Sequence, residues 1–265
     1  MSQVAIITGG ASGIGLAVAT SLAKKGWHVH IVGLNEHRAQ KTADELNGSY
    51  SRADVTDYQS LQEVFGKVFQ EKGQIDFVFA NAGIGETENF YALTTDKDIT
   101  CQPPGMNKMI DTNLKAVINT SYLARHYMRQ NKIKEKASLV INGSIAGLYP
   151  VRFFPIYTAS KHGVIGFARA IADFFFEDGI RVNTVCPGNV RTNLFKPEVW
   201  DTFKMEWIDV SQVVSIVEMM LFDQDMRGNI VEVAPKDFYF HEAPAYKTDN
   251  VRITLDEPTF KSLGK

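Results

Sequence analysis

Val4-Ala5-Ile6-Ile7-Thr8-Gly9-Gly10-Ala11-Ser12-Gly13-Ile14-Gly15 is the stretch that decides the fold. Its apolar opening, Val4 to Ile7, reads as a short strand buried on both faces. Thr8 to Gly15 follows as a glycine-rich turn. Leu16 to Lys25 is a good helix former closed by basic residues and the stop Gly26. Strand, glycine turn and helix in this order are the context in which a loop binds a dinucleotide. The backbone comes close to the pyrophosphate, and the helix N-terminus offers it unpaired N–H groups. Gly9, Gly13 and Gly15 give the spacing G-x-x-x-G-x-G rather than G-x-G-x-x-G, and there is no Gly-Lys-Ser/Thr to hold a triphosphate.

The same alternation continues outward from this unit. His28 to Val32 reads as a strand, Glu36 to Leu46 as a helix and Tyr50 to Ala53 as a short strand. Tyr58 to Lys72 is a helix with Leu61, Val64, Phe65, Val68 and Phe69 on one stripe. Phe77 to Ala80 is a fourth strand entering Asn81-Ala82-Gly83, and the polar stretch from Gly85 to Gly105 is expected on the surface. Asn107 to Gln130, Ile156 to Glu177 and Ser211 to Phe222 read as helices. Ser138 to Asn142, Arg181 to Cys186 and Asn229 to Val233 read as strands. About seven strands alternating with helices predict an α/β fold: one domain over 1–265, a doubly wound parallel sheet with helices on both faces. Its core runs from about 4 to 235, and a tail occupies 236–265.

With 45% hydrophobic and 22% charged residues, the chain has the composition of a globular protein with a real core. A formal charge of −2 gives no reason to expect nucleic acid or an anionic membrane surface as partner. No apolar stretch approaches a membrane span, and no signal pattern opens the chain. Cys101 and Cys186 lack metal-ligand spacing, so no metal site is expected, and free thiols in a reducing, cytoplasmic setting are the reading.

Tyr157 and Lys161 stand four residues apart, so a helix over this segment sets both on one face, one turn apart. An ammonium beside a phenol favours the phenolate and is expected to bring its pKa down from about 10 towards working pH. Such a pair can donate or accept a proton at an alcohol or ketone if a hydride acceptor lies nearby. Ser144, 13 residues upstream of Tyr157, is the accompanying candidate.

Taken together, these motifs resemble the classical short-chain dehydrogenase/reductase family, from about Val4 to Pro235, and within it the 15-hydroxyprostaglandin dehydrogenase type. Thr8 to Gly15 matches the family's cofactor loop and Asn81-Ala82-Gly83 its central-strand motif. Pro187-Gly188-Asn189-Val190-Arg191-Thr192 matches the segment that grips the nicotinamide end. The resemblance implies a Rossmann-type fold and a catalytic set of Asn113, Ser144, Tyr157 and Lys161. In that set Ser144 holds the substrate oxygen and Tyr157 transfers the proton. Lys161 contacts the nicotinamide ribose, and Asn113 places a water that links Lys161 to solvent. It also implies cofactor contacts from Thr8, Gly9, Ser12, Gly13, Ile14, Gly15, Gly33, Leu34, Asn35, Arg38, Asp54, Val55, Asn81, Ala82, Gly83, Tyr157, Lys161, Pro187, Gly188, Val190 and Thr192. Ser160 and His162 point away from Tyr157 at their helical offsets and are left out.

The sharpest departure from the family pattern is at the end of the second strand. Gly33 stands where NAD-preferring members carry Asp, Leu34 where many NADP-preferring members carry Arg, and Ser12 where others carry a basic loop residue. Gly33 removes the repulsion of a 2′-phosphate, and Arg38 follows one helical turn into the next helix, so between NADP(H) and NAD(H) the reading leans to NADP(H). Leu148, Tyr149, Phe154, Phe195, Trp200 and Phe203, the last three in a substrate lid over 193–208, predict a bulky apolar substrate of lipid, terpenoid or polyketide type. The stretch from Val164 to Phe176 is apolar nearly all round, which predicts a second buried face, covered by another subunit or by the C-terminal tail; the family resemblance implies a homodimer or homotetramer built on it. The expected activity is an NAD(P)-dependent interconversion of a secondary alcohol and a ketone. Its rivals are a non-redox isomerase or cyclase using the same acid–base pair, and a non-catalytic cofactor-binding scaffold.

Overall fold

The computed structural model describes residues 2–92, 102–133, 137–195, 197–202 and 205–256. The elements in chain order are β1 (Val4–Thr8), α1 (Gly13–Lys24), β2 (His28–Gly33), α2 (Glu36–Glu45), β3 (Ser49–Arg52), α3 (Tyr58–Lys72) and β4 (Phe77–Ala80). Then come α4 (Met106–Ile110), a π turn (Asp111–Lys115), α5 (Ala116–Met128), β5 (Ala137–Asn142), a 3₁₀ turn (Ile145–Gly147), α6 (Pro155–Glu177) and β6 (Ile180–Pro187). The chain continues with α7 (Pro197–Trp200), α8 (Val210–Phe222), β7 (Ile230–Val233), β8 (Phe238–Phe240) and α9 (Asp249–Asp256).

The strands form one sheet in the order β3-β2-β1-β4-β5-β6-β7-β8. Every pairing is parallel except β7 with β8. The eighth strand is one more than the sequence predicts. Phe238–Phe240 is only three residues long and exposed throughout, so it lacks the buried apolar run that marks the other strands, and it belongs to the segment read as a tail.

All five residues of β1 are buried, and their alternation divides the core. Val4 and Ile6 join the layer under α3, α5 and α6, while Ala5 and Ile7 join the layer under α1, α2 and α8. A strand that must be apolar on both sides reads as a continuous hydrophobic run, which is why Val4 to Ile7 is so legible. The strand order reverses between β1 and β4, and the ends of those two strands therefore frame a crevice at the switch point of the sheet.

The predicted helix from Asn107 to Gln130 is interrupted. Asp111–Lys115 winds as a π turn between α4 and α5, and the extra residue per turn carries Asn113 to full burial. On α6, Phe174 and Phe176 remain 48% and 42% exposed in the single chain, with the Arg227 guanidinium 4.2 Å from the Phe176 ring centre. Among the described residues, no helix is long and apolar enough to cross a membrane.

Candidate active site

Thr8 fastens the two strands of the switch point. Its hydroxyl lies 3.3 Å from the Phe79 carbonyl and accepts from the backbone N–H groups of Asn81 (2.9 Å) and Ala82 (3.1 Å). Asn81 returns a bond from Nδ2 to the Thr8 carbonyl at 2.9 Å. The glycine loop is therefore held against Asn81-Ala82-Gly83. A Cβ on Gly15 would lie 2.5 Å from the Gly9 carbonyl oxygen, so α1 can start this close to the loop only with glycine there. Gly9 itself turns at a φ of +66°, the left-handed region that glycine enters without penalty.

The residues expected to be catalytic come from three elements. Ser144 follows β5, where its hydroxyl accepts from the Ala146 N–H at 3.1 Å and caps the 3₁₀ turn. Tyr157 and Lys161 lie one turn apart on α6, with Lys161 Nζ 5.8 Å from the Tyr157 ring centre. Lys161 is 4% exposed and donates to the Asn142 carbonyl at 2.9 Å; burial lowers its pKa to about 8. The Tyr157 phenol moves against the sequence expectation. Burial pushes it above its ordinary value, and the opposing influence is a hydrogen bond with Ser144, not the charge of Lys161. Cys186 lies behind this group, buried, its thiol pushed up to about 12.

Asn113 stands behind the cavity rather than on its wall. Its side chain pairs with the backbone of Ile84 in both directions: Oδ1 accepts from the N–H at 2.8 Å, and Nδ2 donates to the carbonyl at 2.9 Å. Ser160 is fully buried, with its Oγ 3.4 Å from Asn113 Nδ2 and donating to the Tyr157 carbonyl at 2.7 Å. It supports the site from beneath.

A cavity of about 330 Å³, within the range of small-molecule sites, joins the glycine loop to these groups. Of the residues singled out in the sequence, Gly9, Ser12, Gly13, Ile14, Asn81, Ala82, Gly83, Ser144, Tyr157, Lys161, Pro187, Gly188, Val190 and Thr192 line it, together with Phe154, Phe195 and Trp200. The Phe154 and Phe195 rings stack with centres 5.6 Å apart, and Trp200 meets Phe195 edge-on at 5.0 Å. Thr8 and Gly15 shape the loop from behind. Gly33, Leu34, Asn35, Arg38, Asp54 and Val55 lie outside this cavity. Asn35 caps α2 by accepting from the Arg38 N–H, and Asp54 is engaged by the N–H and hydroxyl of Thr56.

Two predicted pocket residues are corrected, and a third lies outside the described residues. Leu148 packs against the core under α6. Tyr149 is 48% exposed and turned away: its hydroxyl donates to Glu232 at 2.8 Å and its ring meets His241 edge-on. The 3₁₀ turn and this carboxylate on β7 carry Tyr149 to the other side of the loop. Phe203 is the residue not described. Conversely, Ile84, Asn142 and Val151 line the cavity without having been singled out, and Asn193, Leu194 and Met205 line it from the segment expected to form the lid. Asn142 had a usable signal, a polar residue closing a buried strand two positions before Ser144. The cavity residues fit a dinucleotide: Gly9 and Gly13 leave bare backbone on the cavity wall, and the buried Asn142 Oδ1 beside them has no hydrogen-bond partner among the described residues.

The short-chain dehydrogenase model matches residues 3–201, and the chain belongs to that family. Among its relatives, the short-chain dehydrogenase/reductase prx7 of Penicillium rubens is 37% identical over 92% of this chain and 95% of that protein. Human 15-hydroxyprostaglandin dehydrogenase [NAD(+)] is 33% identical over 73% of this chain and 70% of that protein. The crystal structure of gox2181 superposes with a TM-score of 0.76 at 31% identity, covering 88% of this chain and 94% of that one. The finer resemblance drawn from the sequence, to the 15-hydroxyprostaglandin dehydrogenase type, therefore has a counterpart among the relatives. The family makes the chain an oxidoreductase of NAD(P)-binding kind.

Proposed function

We propose that this protein interconverts a secondary alcohol and a ketone on a bulky, hydrophobic small molecule, with an NAD(P) cofactor in the glycine-loop half of the cavity. The observation that carries the reading is convergence. Ser144, Tyr157 and Lys161 lie on the wall of the same cavity as Gly9 and Gly13, which opens at its other end onto Phe154, Phe195 and Trp200. The nicotinamide, when bound, supplies or accepts the hydride. The chain's own residues orient the substrate and move the proton.

Ser144 Oγ holds the substrate oxygen next to the phenol. Tyr157 gives its proton to that oxygen in the reducing direction and takes it in the oxidising one. Lys161, with its pKa lowered to about 8, carries its charge at neutral pH and offers a cation to the developing alkoxide or phenolate. Asn113, locked to Ile84, fixes the backbone in front of Lys161. The apolar residues Val151, Leu194 and Met205 support a hydrophobic substrate. Gly33 and Arg38 support NADP(H), whereas the NAD(+) in the human relative's name favours the other dinucleotide. The exposed Phe174 and Phe176 support assembly of more than one copy, and the cysteine usage supports a cytoplasmic setting.

Titration with NADPH and NADH separately, followed by tryptophan quenching, tests the reading together with turnover of a panel of bicyclic and long-chain ketones and alcohols. Binding of one dinucleotide with turnover of at least one hydrophobic ketone is expected. Binding of neither would overturn the reading in favour of an isomerase using Tyr157 and Lys161 as acid and base.

A further inference from the structure

The helix that carries Tyr157 begins without a cap of its own. Phe154 occupies the N-cap position and makes no side-chain cap bond, and Pro155, the first helical residue, has no N–H. The first intrahelical bond runs from the Thr158 N–H to the Phe154 carbonyl. The Tyr157 N–H, left over by the local sequence, donates instead to Glu86 Oε2 at 2.8 Å, across 71 positions of chain.

Glu86 is 4% exposed. Its other carboxylate oxygen, Oε1, is buried without a hydrogen-bond partner among the described residues. A carboxylate this buried and this sparsely bonded is costly on its own account. What offsets the cost is its place at the positive end of a 23-residue helix. Glu86 also ends the segment that starts at Asn81. Asn81 to Ile84 line the cofactor half of the cavity, and two residues later the same segment grips the backbone of Tyr157. Floor and phenol are thereby held in one register.

We propose that Glu86 is a positioning residue for the proton-transfer group: its carboxylate fixes the first turn of α6 and so sets where the Tyr157 phenol stands relative to Ser144 and the cofactor half of the cavity. The assignment rests on Tyr157 being the acid–base group. Glu86→Ala should lower kcat about tenfold or more, with the dinucleotide Kd within about twofold of the parent. Glu86→Gln keeps an acceptor of the same length and should restore kcat to within about threefold. Glu86→Asp withdraws the acceptor by one methylene, serves if the alanine variant does not fold, and should lose kcat as alanine does.

Amide hydrogen exchange at Tyr157 reads the cap without any turnover. It should be about tenfold faster in Glu86→Ala or Glu86→Asp than in the parent or Glu86→Gln. Unchanged exchange and unchanged kcat would overturn the proposal. So would losses of kcat, Kd and Tm that move together in all three variants, because that marks a general structural role. If the parent turns over no alcohol or ketone, the oxidoreductase reading fails, and the exchange experiment still decides whether Glu86 holds the Tyr157 turn.

Discussion

At the catalytic end of the cleft, Lys161 is 4% exposed and tied to the Asn142 carbonyl, Asn113 is locked to Ile84, and Tyr157 is held through its backbone by Glu86. At the end of β2, where the proposed reading puts a dinucleotide's adenosine, Leu34 is 62% exposed and a Cβ on Gly33 would meet nothing within 4 Å. The first region is determined several times over, by bonds whose loss would leave buried polar groups unpaired. The second is open and carries no side chain that commits it. On the proposed reading, reaction chemistry is built into the packing, and cofactor choice is left to a few exposed positions that can change without disturbing the fold.

The largest effect is expected at the over-determined end. Tyr157→Phe removes only the phenol oxygen and should lower turnover roughly 10³-fold or more while leaving dinucleotide affinity nearly unchanged. Retained turnover, measured with the ketone that the parent reduces best, would remove Tyr157 from the proton-transfer role. It would also dissolve the contrast between the two regions.

Gly15→Ala probes the link between them. A methyl group there meets the Gly9 carbonyl oxygen at 2.5 Å and Asn81 Nδ2 at 2.6 Å, backbone and side chain that the Thr8 network already fixes. Overpacking of this kind costs about 1–3 kcal/mol of stability, which urea unfolding should read, and a loop pushed out of place by the methyl group should bind the dinucleotide more weakly. An unchanged Kd in a fluorescence titration would show that the loop yields, contrary to its rigid placement.

These two positions also show what was legible in the sequence. The glycine loop and the Tyr157–Lys161 pair are local patterns, complete within eight and five residues, so spacing alone reveals them. Glu86 reaches Tyr157 across 71 positions, and no periodicity records such a contact. Tyr149 failed as a pocket residue because its direction is set by Glu232, on a strand far along the chain. Asn113 matches a family motif, but its burial depends on a π turn that a 3.6-residue period cannot anticipate. The strand at 238–240 was invisible because its exposed aromatics carry no alternation.

At the open end, Gly33→Asp should be tolerated, since the backbone there has an ordinary φ and the space beyond is free. A carboxylate at the end of β2 accepts from a ribose hydroxyl and repels a 2′-phosphate. The ratio of NADPH to NADH affinity should therefore fall on the order of tenfold, about 1.4 kcal/mol, with Tm unchanged. An unchanged ratio would place the dinucleotide's ribose away from Gly33 and require a different account of this end.

The narrowest effect, confined to one pH window, tests whether the β2 side of the sheet, open at its tip, is as firmly bonded beneath it. His30 is 1% exposed, with Nδ1 2.8 Å from Ser49 Oγ and Nε2 3.0 Å from Ser51 Oγ, both on β3. Burial, followed by the positive charges of Lys67, His28 and Lys72, lowers its pKa to about 3. Between the ordinary value of 6.5 and about 3, the unfolded chain binds a proton that the folded chain refuses, so stability falls as the pH drops through this window. By pH 5 the loss from this one group should be about 2 kcal/mol, most of it accrued below pH 6.5. Urea unfolding of the parent and of His30→Gln at pH 7 and pH 5 isolates it, because every other titrating group is common to both proteins. The parent's advantage or deficit relative to the variant should shift by about that amount towards the variant on acidification. Parallel pH profiles would mean that His30 accepts a proton inside the fold, and that the β2–β3 layer yields as readily as the open tip above it.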